Sequence, residues 1–268
     1  MWAQINELDS NPLGYHSTKS IKSICRAHPL SLSDIFLHFP QPQCCAIFLK
    51  RQQRFLATMR LSGDEEETVY CANPGSMSGL LRSGSRALLW DSGNIKRKRR
   101  YTWKAVELDK IWIGTDTHMS NRVVEEIIKQ KLIPALSSFN EILREHVIES
   151  GVRVDFLLRD EFNECLVEVK SASVVLDGIA RYPDSKTPRG LKQLQALTRR
   201  LKDGQRVMVL FLVQRSDAKA FVVIDKFDPD YALAFKEALS AGLEVFGVSV
   251  TVSIEGFSSP KLLPYSTL

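Results

Sequence analysis

The sequence predicts an α/β protein in which a mixed sheet with helices follows a small antiparallel β-barrel. Three observations carry that expectation. Six short strand-like runs, separated by Gly-containing turns, crowd residues 44–113, which is the pattern of a small barrel. From Val152 onward, strand patterns alternate with helical ones, as in a layered α/β domain. The stretch Pro188–Lys202 is signposted as a helix at both ends, with Thr187 as N-cap, Pro188 at the first helical position and Gly204 just past the end.

In chain order, residues 1–40 read as a loosely ordered N-terminal extension. Between Ser10 and Ser33 it holds six serines and the bases Lys19, Lys22 and Arg26 with no acid. The same composition fits an organellar transit peptide, which Glu7 and Asp9 disfavour. Residues 41–115 hold the barrel runs Cys44–Leu49, Phe55–Leu61, Thr68–Ala72, Ala87–Trp90, Tyr101–Leu108 and Ile111–Ile113. Residues 116–268 form the α/β domain. Helices are expected over Arg122–Lys131, stopped ahead of Pro134, and over Ser137–Ile148. Strands at Val152–Leu158 and Cys165–Ser171 come next, then the Pro188 helix, whose Leu191, Leu194, Leu197 and Leu201 follow helical spacing and face a core. Strands at Arg206–Gln214 and Ala220–Ile224, a helix at Pro229–Ala241 and a strand at Leu243–Ile254 complete it.

Composition excludes several classes. At 44% hydrophobic and 25% charged, the 268-residue chain is ordinary globular material, neither disordered nor fibrous. Its longest apolar run, Val207–Val213, is far short of the roughly 20 residues that span a bilayer, so the expectation is a soluble protein with no membrane partner. Five cysteines without a Cys-x-x-Cys pair read as reduced thiols of a cytoplasmic protein. The net charge of +5 mildly favours nucleic acid as partner. There is no Gly-x-x-x-x-Gly-Lys phosphate loop, and the five histidines show no metal-ligand spacing.

The most informative stretch runs from Arg153 to Lys170. Val154, Phe156 and Leu158 share one strand face, with Arg153 and Asp155 on the other; in the next strand Cys165, Val167 and Val169 oppose Leu166, Glu168 and Lys170. A turn centred between Glu161 and Phe162 pairs Val154 with Val169, Asp155 with Glu168 and Phe156 with Val167. Two carboxylates then face each other across a strand pair, an arrangement that repels unless neutralised. A divalent cation supplies that neutralisation, and hard oxygen donors suit magnesium, with manganese as an alternative. Lys170, on the same face, can orient an attacking water or stabilise charge on a phosphate. Asp155, Glu168 and Lys170 therefore fit metal-dependent phosphodiester hydrolysis. The same residues, with Arg153, also fit a solvated strand face of weak surface ion pairs.

Two further segments point to phosphate. The loop Ala180–Gly190 brings Arg181, Lys186 and Arg189 to a helix N-terminus, with Lys192 and Gln193 in the first turns beyond it. The run Lys96, Arg97, Lys98, Arg99 and Arg100 adjoins Tyr101 and Trp103, where bases could grip phosphates and aromatics stack on nucleobases, although a solvated loop beside core aromatics fits too. The acidic run Asp64–Glu67 reads as a solvated hairpin turn.

The chain resembles the sugar fermentation stimulation protein A family. The match is carried by Arg51 with Arg54-Phe55, by Asn73, Gly75 and Met77, by Arg97-Lys98 and Tyr101-Thr102, and by Asn121. It continues through Arg153–Leu158, Val167–Ser171, Tyr182-Pro183-Asp184 with Thr187, Arg189-Gly190, Lys192 and Leu194, and then Leu210–Arg215. The resemblance implies a PD-(D/E)xK nuclease-like mixed sheet behind an OB-fold-like barrel, and a magnesium-dependent nuclease acting on DNA or RNA. The family's historical name suggests the alternative of a nucleic-acid-binding regulatory protein of sugar metabolism without turnover. The resemblance also implies nucleic-acid contacts at Arg54, Asn73 and Arg153 and an upstream catalytic acid at Glu145, with Glu141 or Glu149 in its place if the spacing shifts. The chain departs from the family pattern at Val152, where Ser is common, at Asn73-Pro74-Gly75-Ser76, where the loop is Asn-Thr-Gly-Arg-like, and at Gln193, where His is usual. A cytoplasmic location follows, or an organellar one should residues 1–40 serve as a transit peptide, and a homo-oligomer is compatible with the sequence.

Overall fold

The computed structural model describes residues 34–266. Strands β1 (Ile35–His38), β2 (Gln43–Gln53), β3 (Leu56–Arg60), β4 (Glu66–Tyr70), β5 (Arg86–Asp91), β6 (Tyr101–Leu108) and β7 (Ile111–Gly114) come first. Strands β2 to β6 form the barrel, closed by a parallel bridge between Tyr70 and Thr102. It is filled by Phe48, Met59, Val69, Leu89 and Trp103, all fully buried, with the Trp103 indole stacked on Phe48 at 5.1 Å. Each such large apolar side chain stabilises the fold by about 1.5–3 kcal/mol through removal from water. The β3–β4 hairpin turns at Gly63 and Asp64, both with positive φ, so the acidic run does border a solvated hairpin turn.

The second half contains helix α1 (His118–Lys129), strands β8 (Glu141–Glu149), β9 (Val152–Arg159), β10 (Glu164–Ser171), β11 (Val174–Leu176) and β12 (Ile179–Tyr182), and helix α2 (Pro188–Lys202). Strands β13 (Arg206–Val213) and β14 (Ala220–Val223), helix α3 (Pro229–Ser240) and strands β15 (Glu244–Val252) and β16 (Gly256–Leu263) follow. β10, β13 and β15 are parallel neighbours, with β9 and β8 antiparallel beyond β10. Parallel strands covered on both faces bury both sets of side chains, which is why Val207–Val213 is an unbroken apolar run. Helices α2 and α3 cover one face, seating Leu194, Leu197, Tyr231 and Phe235 on Val207, Val209 and Phe211. The α2 cap is as the sequence reads, with the Thr187 hydroxyl accepting from the Gly190 N–H.

The barrel and the α/β layer share one sheet, because β7 meets β15 at the pair Trp112–Val252. They also share a core. Leu88, Ala105 and Trp112 of the barrel side join Val250, Val252 and Phe257, under α1 residues Val123, Val124 and Ile127. At this joint the Gly114 N–H donates to the Gln214 carbonyl (2.8 Å), and a Cβ on Gly114 would stand 2.8 Å from the Cβ of buried Gln214. Gly114→Ala should therefore cost about 1–3 kcal/mol through overpacking. In a thermal melt this lowers the midpoint by roughly 2–4 °C per kcal/mol; an unchanged midpoint would contradict the packing described.

Three departures from the sequence reading have physical reasons. The helix expected over Ser137–Ile148 is instead strand β8, because its apolar residues serve an edge strand equally well and pairing with β9 decides the matter. Arg144 of this strand also forms an ion pair with Glu125 of α1. Ile35–His38, assigned to the extension, pairs as β1 with β16; residues 1–33, on which the transit-peptide reading falls, lie outside the described residues. Among the cysteines, Cys44, Cys71 and Cys165 are free thiols, and burial pushes Cys44 and Cys165 up to about 12. The reading of the cysteines as reduced thus holds for these three, and Cys25 lies outside the described residues.

Candidate active site

The β9–β10 hairpin has the register read from its alternation, with Phe156 opposite Val167, Leu157 opposite Leu166 and Leu158 opposite Cys165. The ladder then stops, so the expected Val154–Val169 pair does not form. In its place the Val169 N–H donates to Oδ2 of Asp155 (2.7 Å), while Asn121 of α1 donates from Nδ2 to Oδ1 (2.7 Å). A carboxylate held by two donors is fixed in orientation, and the strands part at the step where Asp155 and Glu168 stand.

Glu168 and Lys170 are both buried on the next strand, with Lys170 Nζ 2.7 Å from Glu168 Oε1. The second oxygen, Oε2 of Glu168, is buried without a hydrogen-bond partner. Burial pushes the Glu168 carboxyl above the usual range, opposed by the Lys170 ammonium and reinforced by the charge of Asp155. Burial alone would lower the Lys170 ammonium, but the Glu168 carboxylate outweighs it and holds Lys170 above the usual lysine range, so it stays charged. Gln193, from the first turns of α2, ties the site together: its Oε1 accepts from Lys170 Nζ (3.1 Å) and its Nε2 donates to the Arg153 carbonyl (3.1 Å).

A cleft of about 210 Å³ opens over Lys170, with Arg54, Asn73 and Gly75 of the barrel on one wall and Tyr182, Lys186 and Thr187 on the other. The barrel wall is braced. Arg51 donates to the carbonyls of Asn73 (2.7 Å) and Gly75 (2.8 Å), and Arg54 Nε donates to the Pro74 carbonyl (2.9 Å). Asp184 accepts from Ser76 Oγ (3.1 Å) and the Met77 N–H (3.2 Å), locking the loop to the α/β domain. Gly75 permits that approach, since a Cβ there would meet Asp184 Oδ2 at 2.7 Å. Asn73 is buried and spends its Oδ1 on the Gly75 N–H (2.9 Å), so its place is in shaping the turn rather than in reaching outward.

Several sequence-predicted residues lie elsewhere. Glu145 sits between the pairs Arg144–Phe156 and His146–Val154, across from Asp155, but its positive φ of 51° turns the side chain out to solvent and toward Arg153 at 3.9 Å. Glu149 pairs with Arg199, and Glu141 is exposed, so none of the three candidate upstream acids joins the site. Arg153 is correspondingly at the exposed rim. Arg181 alternates with Tyr182 along β12 and lines a neighbouring cavity of about 410 Å³ with Arg82 and Arg215. Arg189 and Lys192 are exposed, and Lys192 Nζ reaches toward Gly151 in the β8–β9 turn. Asn121, which holds Asp155, is marked in the sequence only by the family resemblance, and contributes from a helix far away in sequence.

The basic run is divided by its surroundings. Arg100 is bound to Asp91 through two contacts of 2.6 and 2.7 Å, and Arg97 lies over the Trp90 ring at 5.3 Å. Trp103 belongs to the barrel core and offers no stacking face. Among the described residues, Lys96, Lys98 and Arg99 have no carboxylate partner. Replacing these three with Ala should reduce the slope of log affinity against log salt by about 0.7 per contacted phosphate on a single strand. Arg100→Ala should change it less, because its charge is already neutralised. An unchanged slope in the triple variant would make the run a solvated loop.

A small barrel continuous with an α/β layer, whose central hairpin presents a buried lysine to a cleft between them and carries two carboxylates beside that lysine's strand step, defines a two-module protein with its candidate site at the junction. Family models match both modules: "SfsA N-terminal OB domain" over residues 49–115 and "Sugar fermentation stimulation protein RE domain" over residues 118–256. The chain belongs to the sugar fermentation stimulation protein family. A homologue from Ruegeria sp. (strain TM1040) is 37% identical over 231 residues, covering 85% of this chain and 100% of its own length. One from Geobacter sulfurreducens is 36% identical, covering 84% and 97%. The solved structure of Pyrococcus furiosus SfsA in complex with Ca2+ superposes with a TM-score of 0.80 at 26% identity, covering 87% of this chain and 99% of that one. The N-terminal module is an OB domain, as the family resemblance implies.

Proposed function

We propose that this protein is a magnesium-dependent nuclease that hydrolyses phosphodiester bonds of DNA or RNA, with a PD-(D/E)xK-like centre made of Asp155, Glu168 and Lys170. The observation that carries the reading is Oε2 of Glu168, a buried carboxylate oxygen without a partner on a carboxyl that feels the charge of Asp155. A buried acceptor left unmade costs free energy that a metal ligand would recover. Among the described residues no group of three or more His, Cys, Asp or Glu side chains gathers, so Asp155 and Glu168 suit an ion that keeps several waters, as magnesium does and manganese can. The relative solved with Ca2+ supports a divalent cation in this family, since calcium is also held by oxygen donors.

When bound there, a divalent cation supplies Lewis acidity and an activated water. Asp155 is aimed by Asn121 and the Val169 N–H, and Glu168 by Lys170, so both are oriented before substrate arrives. Lys170 stays protonated and therefore serves as a fixed positive charge for the phosphate, with Gln193 holding its position. In hydrolysis the water oxygen bonds to phosphorus, the bond to the leaving oxygen breaks, and the water's proton is released as the leaving oxygen gains one. Arg54 and Lys186, on opposite walls, stand where they can neutralise flanking phosphates.

The test is incubation of the purified protein with labelled single- and double-stranded DNA and RNA, in magnesium or in chelator. Cleavage that needs magnesium is the expected result. Binding without cleavage would favour the regulatory alternative, and cleavage undiminished in chelator would overturn the metal assignment.

A further inference from the structure

Outside the cleft, the barrel carries a file of rings that the proposed chemistry does not use. Phe55 is 41% exposed where β3 begins, although its carbonyl is anchored by the Cys71 N–H at 2.9 Å. Its ring lies near-parallel to that of Tyr70, at 27° and 6.5 Å between centroids, and Tyr70 in turn lies 6.4 Å from the His118 ring. Phe55 and Tyr70 line a hollow of about 340 Å³ whose other walls are Leu56, Arg97, Lys98 and Arg99, three cations and no carboxylate. The file leads into the cleft. Arg54 has its guanidinium over Phe55 at 5.7 Å and also lines the pocket with Lys170, and His118 follows Thr117, another residue of that pocket.

An exposed ring and a half-buried one beside cations that have no carboxylate partner match the chemistry of an unstacked strand, whose bases offer π-faces and whose backbone offers phosphates. A duplex keeps its base faces stacked on one another and would leave Phe55 and Tyr70 uncovered. We infer that the hollow formed by Phe55, Tyr70, Lys98 and Arg99 is the entry site for a single-stranded nucleic acid, which stacks its bases on the two rings and passes over Arg54 into the cleft at Lys170. This rests on the nuclease reading for the direction of travel, and deepens it by naming a single strand as the substrate class.

The test is binding of a short fluorescently labelled single strand and of the matching duplex, measured by anisotropy in chelator so that no turnover intervenes. The wild-type protein should prefer the single strand. Phe55→Leu keeps an apolar side chain but removes the ring, and should weaken single-strand binding by about tenfold or more, the effect of losing one stacked base. It should leave duplex binding and the salt slope unchanged, because stacking releases no counterions. Phe55→Tyr should restore the affinity, and Tyr70→Leu should repeat the loss, with circular dichroism showing that each variant is folded. Equal losses on strand and duplex, no loss on either, or failure of Phe55→Tyr to rescue would each overturn the inference. A protein that binds in this way yet cleaves nothing in magnesium would instead refute the nuclease reading alone.

Discussion

Lys170→Ala is expected to lower turnover by roughly 100-fold or more at saturating magnesium and substrate, the scale for losing one positioned electrostatic stabiliser. The ammonium is buried, charged and held between Glu168 and Gln193, so nothing nearby replaces it. It is also the counter-ion of Glu168, and its loss leaves that carboxylate harder to ionise. Saturating magnesium separates that secondary effect from the loss of charge at the phosphate. Lys170→Arg should not fully restore the rate, because a planar guanidinium is larger and directs its donors differently. A variant that binds substrate weakly but turns over normally at saturation would make Lys170 a phosphate anchor.

Asp155→Asn should abolish cleavage with the fold retained. The amide keeps the shape of the carboxylate and an oxygen for the Val169 N–H, and Asn121 can turn its own amide to accept from the new NH2, which avoids the roughly 1–3 kcal/mol cost of leaving a donor unmade. What it removes is the negative charge that, with Glu168, draws a divalent cation. Magnesium binding, followed by titration against the thermal midpoint, should lose its stabilising effect in the same variant. Full activity in Asp155→Asn would remove this residue from the centre. Glu168→Gln offers the matching control from the other strand.

How much of this was legible in the sequence depends on which residues compete. The pairing of Phe156 with Val167 follows from alternation, since a one-residue slip would turn Val154, Phe156 and Leu158 out of the core. The parting of the strands one step further does not, because Asp155 takes the Val169 N–H with its side chain, and such a bond leaves no trace in a hydrophobic pattern. Ile142, Leu143, Val147 and Ile148 satisfy a helix about as well as a strand, and only the open edge of β9 selects between them. Gln193 is legible from its place after the Thr187 cap. Asn121 and Phe55 stand out only through the family resemblance, and Tyr70 not at all, since each matters through a neighbour supplied by a distant segment. Trp103 and Phe55 exchange roles for the same reason: an aromatic residue in a strand looks alike whether its face is inward or outward.

The adjacency of β1 and β16 bears on how the molecule is made. Ile35, near the start of the described residues, is hydrogen-bonded beside Ser258, near their end. The barrel leaves the ribosome long before β15 and β16, which cover Trp112 and Phe39. Until those last strands emerge, the apolar side of the barrel has only α1 as cover and β1 has no strand partner among the described residues. Completion of this sheet is therefore a late, long-range event, the kind of closure that slows folding. A truncation that removes β16 should be felt at the opposite end of the chain.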